Sequence, residues 1–293
     1  MHHPRFASLF LLIIITSGNA AAQAWNDDID FTIRSTRTLD SDGADTGLNA
    51  YELIREFGGP NPIESPDLYS LNHPEVEHIY EDFDEEVGNH FAFTSHRDID
   101  RDRNRYQTTD RQRNEIKTYA SSEDAVKGYE NETMVFSWKF KIDDGMEVSK
   151  RFSHFFQLKA VGGNDSQPIV TISGAEHSGR DTIEVRHSSD ESGSYLDHYP
   201  LDNITGEWLE VYTRANFAEE GNLRLIVKRL SDDEVILDVD ESHLDMWRGT
   251  EPEHFVRPKW GIYRSLADAE NLRAEEEIVR FANFEVLKLE PTP

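Results

Sequence analysis

The sequence predicts an all-β fold, a β-sandwich or jelly roll with a few short helices. Three observations predict it. Short segments alternate apolar and polar residues with period two and are rich in β-branched and aromatic residues. Turn-forming clusters separate them, at Gly162-Gly163-Asn164-Asp165, Ser192-Gly193 and Glu220-Gly221-Asn222. Helical periodicity is scarce and alternating strand–helix units are absent, which argues against parallel α/β architectures.

Taken in order, the chain opens on a leader. Arg5 precedes the apolar run from Phe6 to Ile15, and Ala20-Ala21-Ala22 and Ala22-Gln23-Ala24 both fit a small-residue cleavage site. Residues 1–24 are therefore expected to be a signal peptide, and the mature chain to be soluble and exported to the periplasm or beyond. The apolar run is too short to span a bilayer. Residues 25–90 are acidic and mixed, with a helix expected over 49–57 that Gly58-Gly59-Pro60 stops. They are expected to wrap a single β domain, residues 91–293.

Strands are expected at 91–95, 113–119, 133–142, 151–160, 168–173, 181–187, 207–217, 223–230, 234–238, 259–264 and 278–289. The clearest is the run around Phe136, Trp138 and Phe140, which share one register against a largely polar opposite one. Short helices are expected at 121–127 and 241–247.

The chain has no cysteine, so a large core alone must hold it in an oxidising compartment. Thirty Lys and Arg face 57 Asp and Glu, a formal charge of -27. Such a surface repels nucleic acid and anionic membrane, so neither is expected as a partner. An acidic ligand needs a local basic groove. A monomer is expected.

Three segments supply such a groove if they lie side by side. Alternation puts Arg111, Arg113, Glu115 and Lys117 on one strand face, with Glu115 placed to orient its cationic neighbours. A solvated strand can show the same pattern, but Arg97, Arg101, Arg103 and Arg105 enrich this region in cations in a chain that is otherwise acidic. A second stripe is Phe155, Gln157 and Lys159, with His154, Phe156 and Leu158 expected on the opposite face. Gln157 can donate to a carboxylate and Lys159 can add charge. The third stripe is Lys259 and Tyr263, separated by Gly261, which has no side chain to block access; Trp260 and Ile262 are expected to face the core and Arg264 ends the stretch as a further substrate-binding candidate. His96 and His187 lie near expected strand ends and are candidate bases, as is His154 should its strand be irregular.

Asp98-Ile99-Asp100-Arg101-Asp102 has the carboxylate spacing of a calcium loop, but Arg103 stands at the glycine position and Thr109 at the terminal glutamate position. Salt bridges to neighbouring arginines are the favoured reading. No cofactor is required, and a structural calcium is the one metal left open. A glycoside hydrolase on a sandwich needs two carboxylates across its cleft; the nearest run is Asp238-Val239-Asp240-Glu241. A carbohydrate-binding module without catalysis could use the same groove.

These stripes resemble motifs of the β-jelly-roll polysaccharide lyases. Arg113-Asn114-Glu115-Ile116-Lys117 resembles the R-x-E-L-R strand of family 7 alginate lyases, with lysine in place of the last arginine. Gln157-Leu158-Lys159 resembles their Q-I-H strand, with lysine in place of histidine, and Pro258-Lys259-Trp260-Gly261-Ile262-Tyr263 resembles their Y-F-K-A-G-x-Y strand. The wider texture, Asp110 to Glu115 and Arg257 to Arg264, is similar to the glucuronan-lyase and heparin-lyase-like relatives. The resemblance implies a concanavalin A-like jelly roll and β-elimination on a uronic-acid chain of glucuronan, ulvan or alginate type. It implies that Gln157 and Arg113, assisted by Lys159 and Lys117, neutralise the uronate carboxylate. Tyr263, with Lys259 favouring its phenolate, would take the C5 proton and return one to O4, a syn elimination suited to β-linked glucuronate or mannuronate.

Overall fold

In the computed structural model the described residues are 31–104, 106–189 and 193–292. The expected signal peptide lies outside them, as does Arg105. The elements in chain order are β1 (Phe31–Leu39), α1 (Ala50–Gly58), β2 (Ile63–Glu64), β3 (Ile79–Asp84), β4 (Gly88–Ser95), β5 (Arg111–Lys117), β6 (Thr133–Ile142), β7 (Ser153–Val161) and β8 (Val170–His177). They continue with β9 (Arg180–Ser188), β10 (Gly193–Pro200), β11 (Trp208–Asn216), β12 (Gly221–Arg229), β13 (Val235–Leu244), β14 (Phe255–Ser265) and β15 (Glu277–Pro291).

Two antiparallel sheets pack face to face. One has the order β13-β12-β11-β6-β15-β4-β3, with β1 also paired to β15; the other runs β10-β9-β8-β7-β14-β5-β2. β15 is long because β4 pairs its first half and β1 its second along the same side. The expected register of β6 holds. Phe136, Trp138 and Phe140 face inward, and Trp138 packs 4.4 Å from Phe156 of β7 and 6.0 Å from Trp260 of β14. The apolar faces of both sheets thus close on one core, the jelly-roll sandwich that the alternation predicts.

The helix forms where expected. Asn49 and Glu52 make a reciprocal capping box, and Leu53, Ile54 and Phe57 turn inward, Phe57 lying 6.4 Å from Trp260. Other local expectations fail for identifiable reasons. Residues 241–247 are not a helix, because the β12–β13 ladder continues through Glu241, Ser242 and Leu244. Residues 121–127 contain a single 3-10 turn, Asp124–Val126. β1, β2, β3 and β10 were not foreseen; β3 and β10 are edge strands, and β2 is two residues long, so none has to carry two apolar faces.

Two irregularities decide what the seven-stranded sheet presents to solvent. On β7, Phe155 is an extra residue between the His154–Ser173 and Phe156–Ile172 pairs. This bulge reverses the alternation, so His154 shares a face with Gln157 rather than opposing it. On β14, Gly261 has φ +140°, and a Cβ there would stand 2.1 Å from the Asn114 carbonyl oxygen. The glycine is required by backbone conformation and by close approach of β5, not by ligand access as the sequence suggested. Gly261→Ala is expected to lose at least about 1–3 kcal/mol in denaturant unfolding from backbone strain alone. An unchanged midpoint would show that the strand can relax.

Candidate active site

The three predicted stripes are adjacent. β14 lies between β5 and β7, with Tyr263 opposite Arg113 on one side and opposite His154 on the other. Lys259 likewise stands between Lys117 and Gln157. Antiparallel pairing therefore gathers side chains from three distant segments onto one sheet face. Arg111, Arg113, Arg151, His154, Gln157, Lys159 and Tyr263 line a groove of about 640 Å³ on that face. Among the described residues that line it, none is acidic. In a chain of charge -27 this is a local cationic exception.

Tyr263 is half-buried in the groove floor. Arg111 donates to its phenol oxygen at 3.0 Å, and the Arg113 guanidinium lies 3.7 Å from its ring centroid. Beneath it runs a dense charge network. Glu115 accepts from Arg113 at 2.7 Å, from Lys259 at 2.5 Å and from the Gln157 amide. Glu64, on β2, accepts from Lys259 at 2.9 Å, from Lys117 at 2.8 Å and from Arg103 at 2.8 Å. Burial would raise the Glu64 carboxyl, but Lys259, Arg113 and Lys117 together hold it far below the usual carboxylate range. Asp102 holds Arg113 from a third direction at 2.9 Å and 3.1 Å.

This network changes the role of two predicted residues. Lys259 shares the face of Tyr263, its ammonium 5.9 Å from the ring centroid, but it is 1% exposed and capped by two carboxylates. Burial, with Arg113 next, lowers its pKa against the pull of Glu115 and Glu64. Lys117 is likewise spent on Glu64. Both lie under the floor and neither lines the groove.

Lys159 and His154 do reach the groove. Burial, then repulsion from Lys259, brings the Lys159 ammonium down to about 8; its Nζ donates to the Asp165 carbonyl. Burial, then Arg186 and Arg113, brings His154 down to about 3, so the imidazole is neutral at ordinary pH. Ser173 Oγ lies 2.7 Å from His154 Nδ1 and donates to Thr171 Oγ1, so it accepts the Nδ1 proton and leaves the imidazole lone pair on Nε2.

Three predicted residues lie elsewhere. Arg264 is fully buried on the core side of β14, where it donates to Gln112 at 2.5 Å and pairs with Glu277. Strict alternation from Tyr263 puts it there. His187 opposes Val170 on the core-facing register of β9 and bonds the Asp245 carbonyl at 2.8 Å. His96 lies behind β5, in contact with Asp100 and Glu276. The carboxylates of the calcium-like run diverge: Asp98 pairs with Arg97, Asp102 with Arg113, and Asp100 with histidines. Asp238 belongs to the other sheet and pairs with Arg224.

Glu64 and Arg151 were missed, and Asp102 was read only as a member of the calcium-like run. Glu64 is one acid among 57 Asp and Glu in the chain, on a two-residue strand, and only its tertiary partners distinguish it. Farther along the same face, Tyr195 stacks on His177 at 5.3 Å beside His198, an aromatic surface that no strand-by-strand reading assembles.

No family model matches the chain, and no curated protein matches it. Solved structures do. The marine PL-14 alginate lyase from Aplysia kurodai superposes with a TM-score of 0.56 at 13% identity, over 87% of this chain and 99% of that one. A family 7 alginate lyase in complex with substrate gives 0.51 at 10% identity, over 79% and 93%. The endo-beta-1,4-glucuronan lyase from the fungus Trichoderma reesei gives 0.50 at 12%, over 77% and 93%. At these identities the likeness is one of architecture: the chain is a β-jelly-roll sandwich of the kind on which these polysaccharide lyases are built.

Proposed function

We propose that this chain is a polysaccharide lyase that cleaves a uronic-acid polymer of glucuronan, ulvan or alginate type by β-elimination. One observation carries the reading: Tyr263, Gln157 and Arg113 line a single groove that is cationic in an acidic protein. The jelly-roll lyases it resembles in fold act on such polymers, as their names state.

The chemistry follows from the groups present. The C5 proton of a uronate is weakly acidic while its carboxylate is charged, so donors must stabilise the charge that grows on that carboxylate. Gln157 has a second amide hydrogen beyond the one bonded to Glu115, and Lys159 and Arg113 add positive charge beside it. Tyr263 Oη, as the phenolate, accepts the C5 proton. The electron pair then forms the C4–C5 double bond and expels O4, which takes the proton back from Tyr263. Arg111, already bonded to Oη, supports the phenolate charge before the first transfer and after the second. Glu115 and Glu64 orient the cations and are themselves fully paired, so the groove has no free carboxylate pair of the kind a hydrolase needs.

A second reading has a specific observation behind it. The bulge at Phe155 brings a neutral imidazole, His154, to the groove with its ring centroid 5.9 Å from that of Tyr263. His154 would then be the base and Tyr263 the acid, an arrangement suited to guluronate or iduronate. Incubation with glucuronan, alginate, ulvan and heparin-type chains tests both. Unsaturated ends, seen by ultraviolet absorbance, support a lyase, and the preferred uronate separates the two bases. Saturated ends mean a hydrolase, and unchanged polymer means a binding protein.

Lys159 makes a pH prediction. Its ammonium is needed charged to quench the carboxylate, and in the free protein it loses its proton near 8. kcat/KM should therefore fall about tenfold per pH unit above that point, while kcat holds to higher pH because bound carboxylate favours the ammonium. Lys159→Met should abolish this alkaline limb. A rate that instead rises through pH 8, and loses that rise in Lys159→Met, would make Lys159 the base.

Acting on such a polymer would require the chain to be exported, as the expected leader proposes. Among the described residues no helix is long and apolar enough to cross a membrane.

A further inference from the structure

Behind β5, on the side away from the groove, four side chains from two loops meet. His73 and His78 come from the segment between β2 and β3, and His96 and Asp100 from the segment after β4. One ligand atom from each lies within 4.8 Å of the others. Asp100 Oδ1 is 2.8 Å from His73 Nδ1 and 3.1 Å from His78 Nε2, and Oδ2 is 3.3 Å from His96 Nδ1. Asp100 is 1% exposed and His78 fully buried.

We propose that His73, His78, His96 and Asp100 are the ligands of a structural divalent transition-metal site, with zinc as the best-fitting ion. The donor set is three imidazole nitrogens and one carboxylate. That composition suits zinc and its borderline neighbours and not calcium, which takes six to eight oxygens. The spacing is near what a metal requires. Tetrahedral zinc with bonds of about 2.0–2.1 Å sets its ligand atoms about 3.3 Å apart, and the Asp100–histidine separations are 2.8–3.3 Å.

The orientation of the rings is the stronger argument. The three imidazoles do not stack. Their centroids are 5.0–5.2 Å apart and their planes cross at 79°, 81° and 86°, so the rings are edge-on to one another around the Asp100 carboxylate. Two of them are fixed from outside at the nitrogen that a metal does not need. His78 Nδ1 donates to the Val76 carbonyl at 2.6 Å, which leaves Nε2 for the centre. His96 Nε2 bonds Glu276 at 2.9 Å, which leaves Nδ1 for it. An outer carbonyl or carboxylate on a ligating imidazole is how metal sites set tautomer and ring direction.

Four protein ligands would leave no open coordination position, so the role is structural rather than catalytic. The place in the fold says what it would hold. Asn114 donates to the His78 carbonyl at 2.8 Å, and Gln112 to the His96 carbonyl at 3.2 Å. Both belong to the core-facing register of β5, whose other face carries Arg111 and Arg113. The ion would tie both loops to the back of that strand, two residues from Asp102, the partner of Arg113.

The test uses the untagged full chain and does not depend on its activity. Protein purified without chelator is expected to carry about one zinc per chain by elemental analysis. After stripping, it should take up one equivalent of Co²⁺ with the intense visible bands of four-coordinate cobalt. Tm should fall on stripping and recover with Zn²⁺. His96→Ala, at the most exposed ligand, should weaken Co²⁺ binding by more than about 100-fold. Glu276→Gln, an exposed outer partner that leaves the core untouched, should weaken it about 10–100-fold. Stripped protein that binds no Co²⁺, a pale six-coordinate spectrum, or equal affinity in a folded His96→Ala variant would overturn the site and leave an ion-paired histidine cluster.

Discussion

Tyr263→Phe is expected to lower kcat by about a thousandfold, with the polymer still bound. The size follows from what is removed. A positioned acid–base group contributes roughly 10²–10⁴-fold, and in this proposal one phenol both takes and returns the proton. Fold and affinity should survive. The ring keeps its contact with Arg113, whose guanidinium lies 3.7 Å from its centroid, and Arg111 keeps its bonds to Asp110 when it loses the hydroxyl. Stability should drop by no more than about 1 kcal/mol, the net worth of one hydrogen bond at a half-exposed site. The measurement is the appearance of unsaturated product at saturating polymer, paired with equilibrium binding of the same polymer. Normal turnover in the folded variant would remove Tyr263 from the chemistry. A large loss in His154→Gln alone would then shift the base to the imidazole.

Lys259→Met is expected to be the most destabilising single change in the groove, about 3–5 kcal/mol in denaturant unfolding. Lys259 is 1% exposed and sits between Glu64 and Glu115, at 2.9 Å and 2.5 Å. Removing one member of a buried ion cluster leaves uncompensated charge in a medium that solvates it poorly. The remaining partners soften the effect, since Glu64 keeps Lys117 and Arg103, and Glu115 keeps Arg113 and Gln157. The lower end of the range is therefore expected. Adding Glu115→Gln to Lys259→Met should recover part of the loss, because charge is then removed in pairs. Activity should remain low in the double variant, since Glu115 is what orients Arg113 and Gln157. A single variant as stable as the wild type would mean that water reaches Lys259 and that the floor is open.

How much of this was legible depended on the kind of signal. Alternation over short strands is local, and it placed Arg113, Gln157 and Tyr263 on strands whose faces could be named in advance. It broke down at Phe155, where one extra residue reverses the facing of His154, and at Gly261, whose absent side chain answers to backbone conformation. A bulge depends on two neighbouring strands at once, so no pattern within one strand announces it. Arg264 shows the converse: its stripe was read for its charge, although the alternation that placed Tyr263 in the groove already assigned Arg264 to the core.

The sequence by itself determined the sandwich, the helix with the glycines that stop it, and the three polar stripes, because each rests on side-chain period or turn chemistry within a few residues. Only the tertiary structure decided which charges meet. Glu64 and the meeting of His73 and His78 with His96 and Asp100 have no signal in their own segments, and they acquire meaning through partners on other elements. Electrostatic contacts are set by distance in space and by burial, and a chain rich in acidic residues has many candidates for each pairing. Folding selects among them by bringing particular strand faces and loops together.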